Sequence, residues 1–109
     1  MEIEFVNSRI KTIAEKHSKA IKKYGKERAD KIMIRLNELK AAETLLDIKN
    51  LPQTELEPLK YERSGQFSIK TVKQYRIIIE PIGDYEINKL NTIKKVKILN
   101  LDLDYHKRK

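Results

Sequence analysis

The chain has 109 residues, of which 39% are hydrophobic and 37% charged, and its 24 Lys and Arg outnumber 16 Asp and Glu for a net charge of +8. It has no cysteine and only two histidines, so disulfides, thiolate metal sites and a His-rich metal site are excluded. A chain of this length is expected to form one domain spanning residues 1–109, and its basic balance favours nucleic acid, an anionic membrane surface or an acidic protein as partner.

The opening Met1-Glu2-Ile3-Glu4-Phe5 lacks a basic region followed by an apolar one, so no secretory signal is expected. No apolar run approaches the ~20 residues that span a bilayer. A cytoplasmic location follows, without a membrane partner.

Residues Glu2 to Val6 alternate polar and apolar, which predicts a strand with Ile3 and Phe5 on one face. Asn7 or Ser8 is placed to cap a helix. Ile10, Ile13, Ala14, His17, Ala20, Ile21 and Tyr24 then share one helical stripe, and Gly25 supplies a stop. His17 belongs to that stripe and reads as a satisfied core or boundary residue.

A second helix starts near Glu27. Ala29, Ile32, Met33, Leu36, Leu39 and Ala42 face one way, with Lys31, Arg35 and Glu38 largely elsewhere. The pattern continues towards Leu45 and Leu46 after a break around Ala41 to Thr44. Residues Arg9 to Lys40 hold eleven Lys or Arg against four acids, either a solvated face or a polyanion-binding one.

Asn50 to Gly65, with Pro52 and Pro58, reads as loop. Strands follow over Phe67 to Val72 and Tyr75 to Ile79, joined by a turn at Lys73-Gln74 and ended by Pro81 and Gly83-Asp84. In the last strand Val96, Ile98, Asn100 and Asp102 form one face and Lys97, Leu99, Leu101 and Leu103 the other. The expected class is α+β: an N-terminal strand and a helical hairpin packed on an antiparallel sheet with a C-terminal β-meander.

Three segments carry a family resemblance. The first runs Arg35-Leu36-Asn37-Glu38-Leu39-Lys40-Ala41-Ala42-Glu43-Thr44-Leu45-Leu46-Asp47-Ile48. The second comprises Leu56-Glu57-Pro58-Leu59-Lys60, then Arg63-Ser64-Gly65-Gln66-Phe67-Ser68-Ile69 and Gln74-Tyr75-Arg76-Ile77. The third is Asp104-Tyr105-His106. In this order and spacing they resemble the HigB toxins, or plasmid-maintenance killer proteins, of the RelE/ParE superfamily. Three features depart from the pattern. Tyr61 stands where relatives commonly have Gly, Glu57 where some active relatives have His, and the segment from Gly83 to about Lys95 is longer.

The resemblance implies a RelE-like fold and cleavage of mRNA on a translating ribosome, without a metal or other cofactor. The 2′-hydroxyl of a ribose attacks the adjacent phosphate, leaving a 2′,3′-cyclic phosphate and a 5′-hydroxyl. This chemistry needs a base, an acid, and cations for the pentavalent phosphate.

His106 is the foremost candidate for proton transfer, since a histidine titrates near neutral pH. Its plain alternative is a tail residue beside Lys107-Arg108-Lys109. Arg76, amid Ile77 to Ile79, needs a partner or an anionic ligand. Its planar fork suits phosphate, and a salt bridge to Asp104 or Glu80 is the structural alternative. Lys60 is a candidate to neutralise phosphate or donate a proton. Tyr105 is placed to stack on a base or to cover the core. Asp104 is an orienting group or a base, and Glu57 a further base or a solvated loop acid. Arg63, Lys70, Lys73, Lys94 and Lys95 are candidates to hold RNA backbone.

The implied partners are a helix-turn-helix, HigA-like antitoxin, the ribosome and mRNA, with operator DNA bound only through the antitoxin complex. Two alternatives stay open. One is a ParE-like inhibitor that poisons DNA gyrase by binding, and the other a basic RNA-binding module without catalysis.

Overall fold

The computed structural model describes residues 1–105. Its strands are β1 (Glu2–Phe5), β2 (Glu57–Pro58), β3 (Phe67–Lys70), β4 (Tyr75–Pro81) and β5 (Lys95–Asp104). Its helices are α1 (Ser8–Glu15), α2 (His17–Tyr24), α3 (Lys26–Ala41) and α4 (Leu45–Lys49). The expected meander forms the body of the sheet: β4 pairs antiparallel with both β3 and β5. Two strands complete it. β1 joins the edge parallel to β5, and β2 pairs antiparallel with β3, giving a mixed sheet of order β1-β5-β4-β3-β2. The short β2 lies in the region read as loop, and its Pro58 is tolerated because the strand is an edge.

The first helical stripe folds as two helices rather than one. Asn7 caps α1 as expected, its Oδ1 accepting the Ile10 N–H at 2.9 Å. The backbone then turns extended at Lys16, with φ −114° and ψ 97°. Lys16 ends α1 by donating to the Thr12 carbonyl, and its own carbonyl accepts the N–H of Lys19 and Ala20 to open α2. No Pro or Gly marks this break, and the apolar spacing runs through it unchanged.

The helices pack on one face of the sheet. Ile13, Ala20, Ala29, Ile32, Leu36 and Leu39 meet Phe67, Ile69, Ile77, Ile79, Val96 and Ile98 in a common core. Each Ile or Leu buried there contributes about 1.5–3 kcal/mol. Two residues of α3 depart from the expected faces. Met33 is 40% exposed, whereas Arg35 is only 6% exposed. Arg35 lies inside because its guanidinium ties α3 to the end of β3 and to the turn Pro52–Thr54: Nε donates to the Lys70 carbonyl at 2.8 Å and Nη2 to the Gln53 carbonyl at 3.1 Å.

The expected break before α4 is present. Asp47 holds it, accepting from the N–H of Glu43 and Thr44.

The simple alternation expected along the last strand fails. Ile79 pairs with Ile98, Ile78 with Asn100, and Arg76 with Leu103, so β5 carries extra residues at two register shifts. Each such bulge reverses which face the following side chains take. Ile98 and Leu101, three residues apart, therefore both reach the helix-side core. Leu103 becomes the strand partner of Arg76.

Candidate active site

Arg76 lies on β4 between Lys70 of β3 and Leu103 of β5. Neighbouring Ile77 and Ile79 enter the helix-side core, so strand alternation points Arg76 to the opposite face. It is 9% exposed. A guanidinium at that depth must occupy its donors. Nη1 donates to the Glu55 carbonyl at 3.0 Å and to Ser68 Oγ at 3.1 Å. Nη2 reaches Glu55 Oε1 at 3.4 Å, and Glu57 Oε1 lies 3.7 Å from Nη1. The Tyr105 ring centroid is 5.7 Å from the guanidinium carbon.

Glu55 offers both its carbonyl and its carboxylate because it follows the single turn Pro52–Thr54 in the left-handed region, at φ +42°. For a residue with a Cβ that conformation costs roughly 1–2 kcal/mol. Its second carboxylate oxygen pairs with Lys70 Nζ at 3.2 Å. Glu55 thus stands between two cations on neighbouring strands.

Beside this group a cleft of about 410 Å³ is lined by Glu57, Pro58, Lys60, Tyr61 and Tyr105. Lys60 precedes a single turn over Tyr61–Arg63. Tyr61 has φ +59° and is 84% exposed. A glycine at this position would meet no such backbone penalty.

The sequence candidates divide by position. Glu57, Lys60, Arg76 and Tyr105 come together around the cleft, and Lys70 and Arg63 lie near it. Lys70 is the strand partner of Arg76, while Arg63 follows Lys60 by three residues and donates to Gln66 at 2.9 Å. Lys73 forms the β3–β4 turn at φ +52°. Asp104 ends β5 opposite Tyr75. Lys94 and Lys95 lie at the other end of β5, roughly 30 Å along the strand from Tyr105. There Lys95 pairs with Glu4 at 3.0 Å and Glu2 at 3.4 Å, which raises its pKa. His106 lies outside the described residues.

Two residues around Arg76 were not legible as site residues. Ser68 is fully buried and accepts from Arg76, but a serine in a strand gives no sign of this. Glu55 was hidden in a polar loop. Arg76 pairs with Glu55 and Glu57.

A second arginine cluster forms with the helices. Arg28 of α3 donates to Asp102 Oδ2 from Nε at 3.1 Å and Nη2 at 2.7 Å, and stacks 3.9 Å from the Tyr75 ring centroid. The Asp102 side chain is 4% exposed, and its Oδ1 has no hydrogen-bond partner among the described residues. Burial pushes its carboxyl above the usual carboxylate range, against the hydrogen bond and charge of Arg28. His17, expected at the core or its boundary, is half-buried and shares Asp30 with Lys26 at 2.7 Å each.

Among the described residues no group of three or more His, Asp or Glu is placed to hold a metal ion. No described helix is long and apolar enough to cross a membrane.

Helices cover one face of a mixed five-stranded sheet, and a cleft lies beside the Arg76 group. The structure is similar to that of the YoeB/ParE toxin from Agrobacterium tumefaciens, with a TM-score of 0.53 and 14% identity over 92% of this chain and 94% of that one. The sequence model for RelE-like toxins of the type II toxin–antitoxin system HigB matches residues 4–106. The chain belongs to the HigB-like toxin family, and a type II toxin implies an antitoxin partner. A search of curated proteins finds no match.

Proposed function

We propose that this chain, acting as one domain in the cytoplasm, is an endoribonuclease that cleaves mRNA on the translating ribosome and so stops translation. The observation that carries the reading is the set around Arg76. A nearly buried guanidinium stands beside two carboxylates and a tyrosine ring, next to a cleft bordered by Lys60.

The geometry around Arg76 supports a division of roles, which His106 completes on the strength of the sequence resemblance alone. Arg76 and Lys60 receive the scissile phosphate and stabilise the charge that grows on its oxygens. Glu57, 3.7 Å from Arg76, takes the proton of the attacking 2′-hydroxyl. His106 gives a proton to the departing 5′-oxygen, with Asp104 orienting it. As the new bond from the 2′-oxygen to phosphorus forms, the bond to the 5′-oxygen breaks, and no metal is required. Tyr105 stacks on a base beside the cut. Arg63, Lys70 and Lys73 hold the backbone on either side. The antitoxin, a small helix-turn-helix protein encoded nearby, binds this +8 chain and carries the pair to operator DNA.

Induction of the chain without its antitoxin tests the proposal. Pulse labelling is expected to show protein synthesis falling before DNA synthesis, with new mRNA ends appearing inside coding regions. Failure of replication or supercoiling first would favour a gyrase inhibitor. Translation arrest with intact mRNA would favour a binding module without catalysis.

A further inference from the structure

Tyr61 stands apart from the other described large hydrophobic side chains. It is 84% exposed, and the next most exposed, Val6, is at 45%. The ring therefore gains little from the core. Its backbone is also held at φ +59°, where glycine is at ease and tyrosine is not. Nearby Gly65 adopts φ +93° with open space around it. An exposed aromatic ring thus stands on a disfavoured backbone, and neither packing nor local conformation accounts for it.

The surroundings indicate what the ring meets. Tyr61 lines the same cleft as Tyr105, Glu57 and Lys60. Lys60 precedes it, Arg63 closes its turn, and Arg76 lies under Tyr105. Two exposed or half-exposed tyrosines bordering one cleft, with cations at its margin, are the elements that grip single-stranded nucleic acid. The cations follow the phosphates, and the rings take the faces of unstacked bases. An acidic protein surface would use the cations but has no comparable need of two flat rings.

We propose that Tyr61 is a second base-stacking residue of the cleft, gripping an unstacked base of single-stranded RNA across from Tyr105. The inference rests on the reading of the chain as a ribonuclease and adds to it a positioning residue. Stacking needs the ring and not the hydroxyl, so Tyr61→Phe should behave as the parent. Tyr61→Gly removes the ring while relaxing the backbone.

The test uses the whole chain and a short single-stranded RNA containing 2-aminopurine, whose fluorescence is quenched when it stacks. KM is measured alongside for mRNA cleavage on purified translating ribosomes. The parent and Tyr61→Phe are expected to quench the probe. Tyr61→Gly should weaken the quench, weaken RNA binding or raise KM on the order of tenfold to a hundredfold, and leave kcat nearly unchanged. It should also melt about 5 °C higher, which separates loss of the ring from loss of fold. Unchanged quench and KM in Tyr61→Gly would overturn the proposal, as would a defect confined to antitoxin binding. Cleavage by the parent with no effect of Tyr61→Gly would reject the stacking role and keep the nuclease. Ring-dependent quenching without cleavage would keep the stacking role and reject the nuclease.

Discussion

Arg28 and Arg76 each sit beside a carboxylate and a tyrosine, one arginine with the helices and the other near the open cleft. Their geometry differs in a consistent direction. Arg28 meets a single Asp102 oxygen from two nitrogens at 2.7 and 3.1 Å, and Tyr75 covers it at 3.9 Å. Arg76 reaches its two carboxylates at 3.4 and 3.7 Å, and Tyr105 at 5.7 Å. A charge-assisted hydrogen bond at its best lies near 2.7–2.9 Å. Arg28 has therefore spent its geometry inside the protein, while Arg76 holds its carboxylates loosely enough for a phosphate to offer better partners. Burial of an arginine does not by itself mark a site, and it is the looser carboxylate contacts of Arg76 beside a cleft that support the proposed role.

Replacing each arginine should separate the two clusters. On the proposed mechanism Arg76→Ala is expected to lower cleavage by about 10²–10³-fold, as for loss of one preorganised donor. Ser68 and the Glu55 carbonyl lose a partner, at a cost of about 1–2 kcal/mol. Activity measured against a urea unfolding curve checks both effects. A loss of cleavage wholly explained by unfolding would place Arg76 with Arg28.

Arg28→Ala should show the reverse. It leaves the buried Asp102 carboxylate unpaired, which costs about 2–3 kcal/mol once the one-third exposure of Arg28 is allowed for. Melting should fall by roughly 10 °C. Protein that remains folded should cleave at nearly the parent rate.

A smaller effect distinguishes Asp102 from Asp30 by sign. Burial raises the folded pKa of Asp102, so the folded state keeps a proton that the unfolded chain has lost. Its contribution falls as pH rises from about 3.8 through that raised value. Asp30 is held low by hydrogen bonds from Lys26 and His17. Its contribution is present above its unfolded value and is lost as pH falls through the lowered one. Stability measured against pH should lose the first slope in Asp102→Asn and the second in Asp30→Asn. Equal changes in both variants would contradict the contrast in burial.

The smallest effect belongs to Lys95. It was a plausible backbone contact in the sequence, but its charge is matched by Glu2 and Glu4 at the far end of β5. Lys95→Ala should leave cleavage unchanged, and a clear loss would extend the RNA path across the sheet.

These contrasts also explain what the sequence could and could not disclose. Alternation at Ile3 and Phe5, the glycine stop at Gly25 and the turn at Lys73-Gln74 are local signals, and each corresponds to the element found. Glu57, Lys60, Arg76 and Tyr105 were readable through their order along the chain. Their gathering at and beside one cleft depends on the pairing of β2 with β3 and on the bulges of β5. Those bulges, like the break at Lys16, have no residue signature. Arg35 was read as lying off the apolar face of its helix because its partners, Lys70 and Gln53, are distant in sequence. Tyr61 appeared only as a missing glycine, and its exposure and φ of +59° gave it meaning.

The central claim is that the cleft beside Arg76 cuts RNA by attack of the 2′-hydroxyl. The most direct measurement is the chemistry of the ends produced from an mRNA on purified translating ribosomes, with the parent protein and with Arg76→Ala. The account predicts 2′,3′-cyclic phosphate and 5′-hydroxyl ends from the parent, reduced at least about a hundredfold in the variant. Intact mRNA with the parent bound, ends carrying a 5′-phosphate, or equal cleavage by folded Arg76→Ala would contradict it.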